Sequence, residues 1–491
     1  MAPSPTRRVI GAVGLVALGL VVAERLRTRP LARAGAGPVA ATSRARRSLE
    51  LARLGSRTGG GYAVHRARRT FAGAARRDEL DTRFQLRTAE QVAAALGNMK
   101  GAMMKLGQMA SYLDQGLPEP VRAALAELQA GAPPMAPELA AEVVERELGA
   151  PPDRVFAEWD DVPIAAASIG QVHRALTRDG RAVAVKVQYP GVDVAIRADL
   201  GNAGVLFSAM GMLFPGLEPG PLVEELRARL IEELDYEREA ANQRLFADHL
   251  RDHPFLHVPG VVDELSSARV LTTELAEGVR FTEALGWDRE ERNLAGESLF
   301  RFVFRSLYRL RAFNGDPHPG NYLFRPGGQV TFLDFGLVKH FTDPELQVFA
   351  SMIQAMVIDR DVAGFRRIVE SVGLLPEGSP FSDERIEAYF GHFYEFVLSD
   401  ESRTMTPAYA SESVRRIFDA GGPFGDIMKV ANLPPSFVII QRINMGLYAL
   451  LGELGATANW RRIADELWPF VDGPASTPLG EAEAAWLRRR R

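Results

Sequence analysis

Hydrophobic positions along this chain repeat with periods that predict its main strands and helices. Residues 182–188 alternate valines with other residues, which predicts a strand with the valines on one face and Lys186 on the other. Residues 221–250 carry apolar side chains at helical spacing and predict one long amphipathic helix. A second helical stripe lies within residues 92–113 and predicts a helix whose apolar face is buried.

The C-terminal third is predicted to be mainly helical. Its predicted helices lie at residues 352–373, 382–398 and 434–454, and residues 401–407 are predicted to form a loop. The last of these helices is rich in Ile, Leu and Met and could face lipid, but we favour packing in the core. After Pro469 the chain turns polar and ends in four arginines, which predicts a frayed basic tail.

Two aspartates and an asparagine are spaced as in a kinase-type active site. Asp316 lies five residues before Asn321, and Asp334 begins an Asp-Phe-Gly sequence thirteen residues further on, after a predicted strand. Asp316 can accept a hydroxyl proton or orient a nucleophile. Asn321 and Asp334 offer the hard oxygen ligands that Mg²⁺ prefers around a triphosphate. The combination predicts ATP chemistry.

A lysine and a set of carboxylates upstream fit the same chemistry. Lys186 can point out of its strand towards phosphates. The predicted helix at residues 221–250 carries Glu233, Asp235 and Glu239. Asp235 and Glu239, four residues apart, share one helix face, whereas Glu233 lies on another. The helix can therefore offer carboxylates to two different partners.

The predicted nucleotide loop differs from the glycine-rich loop of ordinary kinases. It has one glycine where three are usual, in the run Ala165, Ala166, Ala167, Ser168, Ile169 and Gly170. Because alanine disfavours the positive φ angles that glycine reaches freely, we predict a stiffer loop and a different phosphate geometry. The sequence contains no Gly-x-x-x-x-Gly-Lys-Ser/Thr motif, so a P-loop nucleotide site is not supported.

Lys105 and Gln108 complete the set of motifs. They lie three residues apart on one helix face, off the apolar stripe, with Gly107 between them leaving room for close backbone approach. These six motifs, in this order, resemble those of the UbiB/AarF (ADCK-type) family of atypical protein-kinase-like ATPases, whose members support ubiquinone and other isoprenoid-lipid metabolism. The motifs cover about residues 80–345, and the resemblance extends to residue 470 as the rest of the C-lobe.

The resemblance implies a role for each matching residue. Lys186 contacts the ATP phosphates and pairs with Glu239, while Asp316 takes the catalytic-base position. Asn321 and Asp334 hold Mg²⁺. The implied nucleotide-binding residues, which include those of the presumed hinge, are Ala165, Ala166, Ala167, Ser168, Gly170, Lys186, Glu274 and Ala276.

The resemblance also implies a regulatory contact. The helix with Lys105 and Gln108 folds over the active site, and Lys105 meets Glu233 or Asp235. Two positions depart from the family pattern. Asn314 stands where many bacterial relatives have histidine, and Thr273 at the presumed hinge stands where a bulkier residue is common.

The fold implied by the resemblance is α+β: a two-lobed protein-kinase-like fold with an N-terminal helical extension over the active site and a helical C-lobe. The predicted segments are a membrane anchor at residues 1–30, a basic linker at 31–77, the helical extension at 78–150, the N-lobe at 151–280, the C-lobe at 281–470 and a polar basic tail at 471–491.

Composition and charge restrict the cofactors and partners. With no cysteine, the chain can form neither a disulfide nor a thiolate-bound zinc or iron–sulfur centre, so ATP and Mg²⁺ are the predicted cofactors. The net charge of −4 combines +14 on residues 1–77 with −18 on the remainder. Because the basic arm has few aromatics to stack bases, we predict an anionic membrane surface, and no nucleic acid, as its partner.

Residues 9–23 are uncharged and allow three interpretations. They could form a short anchor with snorkelling arginines, a helix lying on the membrane surface, or a signal peptide cleaved after Ala34. An ATP-dependent domain has no ATP supply outside the cell, so we favour the anchor and place the protein on the cytoplasmic face of the cell membrane.

The function that these observations and the resemblance together imply is a membrane-associated ATPase or small-molecule kinase that acts on, or extracts, an isoprenoid lipid or quinone precursor. The alternative is a nucleotide-binding pseudokinase that scaffolds a lipid-biosynthetic complex. Protein phosphorylation is the weaker hypothesis, because no Ala-Pro-Glu follows Asp334 to anchor a peptide-docking segment. Hydrolysis and phosphotransfer both stay open, as does assembly into a homodimer.

Overall fold

The computed structural model describes residues 135–167, 169–193, 231–315, 317–418, 422–432 and 434–490. The chain divides into two compact units. The first contains the described residues up to 180 together with 185–193 and 231–234, and the second contains 181–184 and the described residues from 235 onward. The predicted anchor, the linker and most of the helical extension lie outside the described residues.

The first unit contains a small antiparallel sheet. Its elements are α1 (Pro137–Leu148), α2 (Pro152–Val155), β1 (Glu158–Trp159), β2 (Ala165–Ala166), β3 (Gly170–Leu176) and β4 (Ala182–Gln188), whose first three residues are grouped with the second unit. β3 pairs antiparallel with both β1 and β2. Val183, Val185 and Val187 are fully buried and Lys186 is half-buried, which confirms the predicted alternation in β4.

The second unit holds the other strands. They are β5 (Leu256–His257), β6 (Val270–Glu274), β7 (Val279–Arg280), β8 (Ala312–Asn314), β9 (Tyr322–Arg325), β10 (Gln329–Phe332), β11 (Val338–His340), β12 (Arg403–Thr404) and β13 (Thr457–Ala458). One sheet has the order β5-β10-β9-β7, with β5 parallel to β10 and the other pairs antiparallel. β8 pairs with β11 and β12 with β13, both antiparallel.

Helices make up most of the second unit. They are α3 (Tyr236–His249), α4 (Phe281–Ala284), α5 (Arg289–Arg305), α6 (Asp343–Ile353), α7 (Val362–Ser371), α8 (Asp383–Phe390), α9 (Pro407–Phe418), α10 (Gly425–Val430), α11 (Pro435–Leu454), α12 (Trp460–Leu467) and α13 (Pro478–Arg489). α5 and α6 continue into π-helical turns at Ser306–Leu310 and Gln354–Asp359.

The core of the second unit is organised around α5. Phe302 on α5 stacks on Phe332 of β10, with ring centroids 3.5 Å apart. Phe300, two residues earlier, packs against Trp460 of α12 at 5.2 Å. α5 therefore contacts the sheet with one part of its surface and the C-terminal helices with another, which is why most of its second half is buried.

The predicted single helix at residues 221–250 is wrong in its described part. The chain leaves helical geometry at Asp235, and α3 begins at Tyr236. The Asp235 carboxylate accepts a hydrogen bond from the Arg238 backbone N–H at 2.9 Å and so caps the new helix. Aspartate is among the best N-cap residues, and here this local preference overrides the apolar periodicity.

The predictions for the C-terminal helices have mixed outcomes. The predicted helix at 382–398 is confirmed as α8 followed by a 3₁₀ segment, Gly391–Val397, and the helix at 434–454 is confirmed as α11. The predicted helix at 352–373 is divided, because Arg360 adopts a left-handed conformation with φ of 55° and Asp361 caps α7. The predicted loop at 401–407 contains the short strand β12.

The predicted frayed tail is also wrong, since residues Pro478–Arg489 form α13. Leu479, Glu483 and Trp486 lie on the buried face of this helix. Only two of these three side chains are apolar, so the helical periodicity of hydrophobic residues is weak here. It therefore did not indicate a helix that packs against the rest of the protein.

One described helix, Ser436–Leu454, is long and apolar enough by composition to cross a membrane, with a mean hydropathy of 1.2. About half of it is buried, at 53%. Phe437, Leu447 and Leu451 all pack into the core of the second unit, whereas Val438 is exposed. The helix therefore has the burial of a core helix.

Candidate functional site

One face of α3 packs against the Asp-Phe-Gly sequence. Glu239, Asn242 and Phe246 share this face because they are three and four residues apart. The Asn242 side-chain amide donates a hydrogen bond to the Phe335 carbonyl oxygen at 3.0 Å, and the rings of Phe246 and Phe335 are 4.8 Å apart. Glu239 is almost fully buried, with 2% of its surface exposed. α3 thus brings a buried carboxylate to the site.

The carboxylates of Glu239 and Asp334 both lie beside Gly336. The Gly336 backbone N–H donates to Oδ1 of Asp334 at 3.0 Å, which fixes the orientation of that carboxylate. A methyl group added at Gly336 would lie 3.4 Å from Oδ1 of Asp334 and 3.6 Å from Oε2 of Glu239. Glycine therefore keeps open a small volume between two oxygen donors.

Asn321 lies beside the chain that carries Asp334. It ends the 3₁₀ turn Pro319–Asn321, and its backbone carbonyl accepts a hydrogen bond from the Leu333 N–H at 3.0 Å. This bond extends the pairing of β9 with β10, in which Tyr322 faces Phe332. The backbone of Asn321 therefore lies opposite Leu333, which directly precedes Asp334.

Asn314 has a structural role that the sequence did not reveal. Its side chain is buried, and its amide nitrogen donates to the backbone carbonyl oxygen of Asp334. The adjacent Gly315 N–H donates to the Leu337 carbonyl at 2.7 Å. Asn314 and Asn242 therefore hold the Asp-Phe-Gly backbone at two successive carbonyls. A buried side-chain amide needs such partners, so this substitution for histidine is satisfied in place.

The donor set fits a hard cation shared with phosphates. Among the described residues, no group of three or more His, Cys, Asp or Glu side chains forms a closed metal site. Asn321 and Asp334 instead offer one amide and one carboxylate, and Gly336 has no side chain beside the Asp334 carboxylate. Mg²⁺ is commonly held by one or two carboxylates plus substrate phosphates, so an open set of this kind is appropriate for it.

The alanine-rich loop is a tight hairpin in the first unit. Ala165 pairs with Val172 and Ala166 with Gln171, and the Ala167 N–H donates to the Gly170 carbonyl at 2.9 Å. No described residue of this hairpin has a positive φ. Alanine therefore meets no backbone penalty here, which explains why the loop does not need the usual glycines.

Part of the loop motif is structural. Gln171 is buried and accepts a hydrogen bond from the Met135 backbone N–H at 2.8 Å, while its amide lies 2.9 Å from Nε2 of His173. Nδ1 of His173 lies 2.8 Å from the Asp160 carbonyl, and the ring stacks on Trp159. Burial lowers the pKa of His173, so a neutral ring braces the sheet.

The remaining predicted residues have separate positions. Lys186 is half-buried on β4 of the first unit, and Ala276 is half-buried just beyond β6. Glu274 is exposed, and its carboxylate accepts a hydrogen bond from the Gly260 N–H at 2.9 Å. Glu233 lies just before the helix break, and Asp235 is the N-cap of α3.

Four predicted site residues lie outside the described residues: Lys105, Gln108, Ser168 and Asp316. The structure therefore brings together Glu239, Asn321 and Asp334 in the second unit. It places Lys186 and the alanine hairpin in the first. Asn242 was missed, because its partner is a backbone carbonyl 93 residues away and no local pattern indicates that contact.

The stretch after Asp-Phe-Gly is short. β11 follows at once, and α6 starts at Asp343 with a capping box formed by Thr342 and Glu345. In this described part of the chain, no long segment separates Gly336 from α6. This agrees with the absence of an Ala-Pro-Glu sequence.

Comparisons with known proteins agree with this geometry. Residues 127–369 match the family described as the ABC1 atypical kinase-like domain. The chain is 35% identical over 311 residues to the rat protein Atypical kinase COQ8B, mitochondrial, covering 61% of this chain and 57% of the relative. It is 26% identical over 388 residues to the yeast protein Atypical kinase COQ8, mitochondrial, covering 78% and 76% respectively.

A solved structure extends the comparison to the fold. The Rv3197–erythromycin complex from Mycobacterium tuberculosis is 32% identical in sequence, with a TM-score of 0.57, and the match covers 80% of this chain and 98% of that one. The α+β, kinase-like fold expected from the sequence is thereby confirmed. The chain spans little more than half the length of the rat relative, 57%, and about three quarters of the yeast one, 76%.

Proposed function

Because the chain belongs to the ABC1 atypical kinase-like family, also called UbiB/AarF, we propose that it is a membrane-associated atypical kinase-like ATPase that uses Mg-ATP. Membership of a kinase-like family implies ATP binding with a metal ion. The observation that carries the proposal is the pair of carboxylates, Glu239 and Asp334, which both lie beside Gly336. The choice of Mg²⁺ rests on the oxygen donors of Asp334 and Asn321.

Each residue has a proposed part. Lys186 binds the ATP phosphates and pairs with Glu239, which orients its ammonium group. Asp316 orients the attacking hydroxyl or water, or accepts its proton. The alanine hairpin and the segment with Glu274 and Ala276 hold the nucleotide. When bound, Mg²⁺ neutralises the phosphate charge that develops in phosphoryl transfer.

The proposed covering element joins these parts. The helix with Lys105 and Gln108 lies over the cleft, and Lys105 pairs with Glu233 or Asp235. The Asp235 carboxylate already accepts a hydrogen bond from the Arg238 N–H. A pairing with Lys105 would therefore divide this carboxylate between two donors. Glu233 is therefore our preferred partner.

The proposed substrate is an isoprenoid lipid or quinone precursor. A cavity of about 80 Å³ in the second unit, lined by aromatic side chains such as Phe300, Phe393 and Tyr448, has room for a small apolar group and suits part of the hydrocarbon chain of such a ligand. Its wall also includes Asn444, whose Oδ1 atom is buried and has no hydrogen-bond partner in the described part. The related mycobacterial protein was solved with erythromycin, which supports binding of an organic molecule by this fold.

Two alternatives are weaker. A nucleotide-binding scaffold without turnover has the same fold, and only a measurement of hydrolysis separates it from an enzyme. A protein kinase is disfavoured by the short connection from Gly336 to α6, which offers little backbone for docking a peptide.

The first test is Asp334→Asn, compared by thermal shift with ATP in the presence and absence of Mg²⁺. We expect the wild type to be stabilised by Mg-ATP and the variant to bind it roughly tenfold more weakly, because an amide is a poorer ligand than a carboxylate for a hard cation. Asp343→Asn is the matched control. That carboxylate is exposed and pairs only at the surface with Arg311.

A second arm measures ATP hydrolysis with anionic liposomes that contain or lack a quinone-precursor analogue. Hydrolysis that rises with the analogue and disappears in Asp334→Asn supports the enzyme. Mg-dependent binding without hydrolysis under any condition indicates the scaffold. Equal stabilisation of wild type and variant, with and without Mg²⁺, would remove Asp334 from the metal site.

A further inference from the structure

The C-terminal helix α13 is docked on the last turn of α3. Trp486 has 3% of its surface exposed, and its indole N–H donates a hydrogen bond to the Arg251 carbonyl at 3.0 Å. The ring of His253 meets the Trp486 ring edge-on at 4.6 Å. Residues 251 and 253 directly follow α3. α13 therefore holds the chain at the point where α3 ends.

Arg490 caps the same helix end. Its guanidinium donates to the His249 carbonyl at 2.7 Å and to the Asp248 carbonyl at 3.2 Å, and it lies 4.9 Å from the centre of the Trp486 ring. The last carbonyls of a helix have no partner within it, and the partial negative charge there attracts a cation. Arg490 satisfies both needs from a different element.

α13 is in turn fixed to α5. Glu483 lies 2.9 Å from Nη1 of Arg301 and also pairs with Arg305. Arg301 is fully buried and contacts Glu297 and Glu466 at 2.7 and 2.8 Å. Removing one member of such a buried network leaves a charge unpaired, which is costly. The clamp on α3 is therefore attached to a helix whose second half is largely buried.

The opposite half of α3 carries the candidate catalytic carboxylate. α3 contains fourteen residues, which gives it a length of roughly 21 Å at 1.5 Å per residue. A helix moves largely as a rod, so a change in its last turn is transmitted to Glu239 and Asn242 near its start. In kinase-type sites, the placement of the helix that carries this glutamate controls activity.

We propose that Trp486 and Arg490 are positioning residues, which hold α3 from its C-terminal end so that Glu239 stays beside Asp334. The inference rests on the proposed ATPase function. It makes α13 part of the catalytic unit, although the sequence there predicts only a basic tail. Arg490 acts through Glu239 and touches no reacting group itself.

The test uses Arg490→Met in the full-length chain, with the exposed neighbour change Arg489→Met as the matched control. Arg490 is itself exposed, so its variant should fold. We expect kcat for ATP hydrolysis to fall about tenfold, the KM for ATP to stay within about twofold, and Arg490→Lys to restore part of the rate, because lysine can also donate to the carbonyls. The control should match the wild type.

A double variant separates positioning from simple stabilisation. If Arg490 acts through Glu239, Arg490→Met should have little further effect on kcat in a Glu239→Gln background. If the two residues act independently, the two reductions in kcat should multiply. Multiplying effects, or an Arg490→Met rate equal to that of the control, would overturn the proposal. If the wild type does not hydrolyse ATP, the proposed ATPase function is wrong. Hydrogen exchange of the backbone amides then tests the proposed clamp by itself. Faster exchange at residues 244–250 in Arg490→Met than in Arg489→Met supports the clamp, and equal exchange refutes it.

Discussion

At the scale of single residues, the candidate site depends on groups that support the reacting ones. Asn314 and Asn242 each donate a hydrogen bond to a backbone carbonyl of the Asp-Phe-Gly sequence, from two different elements. Asp334 could be identified from the sequence because its motif is local. The two asparagines could not, because their partners are backbone atoms 20 and 93 residues away.

Gly446 is a further supporting residue. It lies in α11, and a methyl group added there would sit 2.1 Å from Cγ and 2.9 Å from Cβ of Pro317. Pro317 follows Asp316 in the chain, and its ring cannot rotate away. Contact this close requires a backbone shift, so glycine allows α11 to pack directly against the loop of the proposed catalytic base.

We therefore predict that Gly446→Ala lowers the rate of ATP hydrolysis roughly tenfold while leaving ATP-induced thermal stabilisation nearly unchanged. The loop that carries Asp316 must move, but Asn321 and Asp334 are held by other elements. Steady-state hydrolysis and thermal shift are the measurements. Ala449→Leu, which adds bulk at an exposed position of α11, should behave as wild type. Unchanged hydrolysis in Gly446→Ala would show that the loop tolerates the shift.

At the scale of elements, the success of the sequence predictions followed the kind of signal. β4 and α11 were predicted because their apolar residues repeat regularly and are buried as the pattern requires. The break at Asp235 was missed because one capping side chain decides it. α13 was missed because its docking depends on Glu483 and Trp486, and a buried glutamate reads as a solvent-facing residue until its arginine partners are known.

The junction of α3 and α13 also has an electrostatic signature. Burial would raise the pKa of Glu483, but the hydrogen bond from His253 and the charges of Arg305 and Arg301 outweigh it and lower that pKa to about 2. Burial, followed by the charges of Arg305 and Arg490, lowers the pKa of His249 from 6.5 to about 4. Both groups therefore resist protonation while the junction is intact.

The His249 shift predicts a pH-dependent stability. Between pH 6.5 and about 4 the unfolded chain binds a proton at His249 that the folded chain does not, so the free energy of unfolding should fall as the pH falls through this window. His249→Leu should reduce the slope by at most about 1.4 kcal/mol per pH unit. Urea unfolding at several pH values measures it. Leu245→Ala, on the same helix, should keep the wild-type slope, and an unchanged slope in His249→Leu would contradict the assignment.

At the scale of the whole molecule, the order of the motifs predicted the family correctly, because six local patterns in one order are insensitive to errors in individual elements. The fold class followed from the family and not from the periodicity, which misjudged two helices and the C-terminus. Lys186 and Glu239 fall in different compact units, so no local signal in the sequence tests their proposed pairing.

The division of charge also belongs to this scale. Residues 1–77 carry +14, whereas the remainder carries −18. An arm of this kind is attracted to an anionic surface by about 1 kcal/mol for each arginine that lies close to it. This attraction is screened by salt, whereas burial of the apolar residues 9–23 is not. The two contributions can therefore be separated by ionic strength.

We predict that the arm holds the protein on the cytoplasmic face of the cell membrane through both contributions. In liposome flotation, full-length protein should stay bound to anionic vesicles through a high-salt wash, since apolar burial persists when charges are screened.

The deletion experiment separates the two contributions to membrane binding. Without residues 1–30 the chain loses the apolar segment but keeps eleven arginines, so it should bind anionic vesicles weakly and be released as the salt concentration rises. Neutral vesicles are the control: they should retain the full-length chain through the apolar segment and fail to bind the shortened one. Full-length protein that is washed off by salt, or that is found outside the cell trimmed near Ala34, would show that residues 9–23 are no anchor and would favour the signal-peptide interpretation.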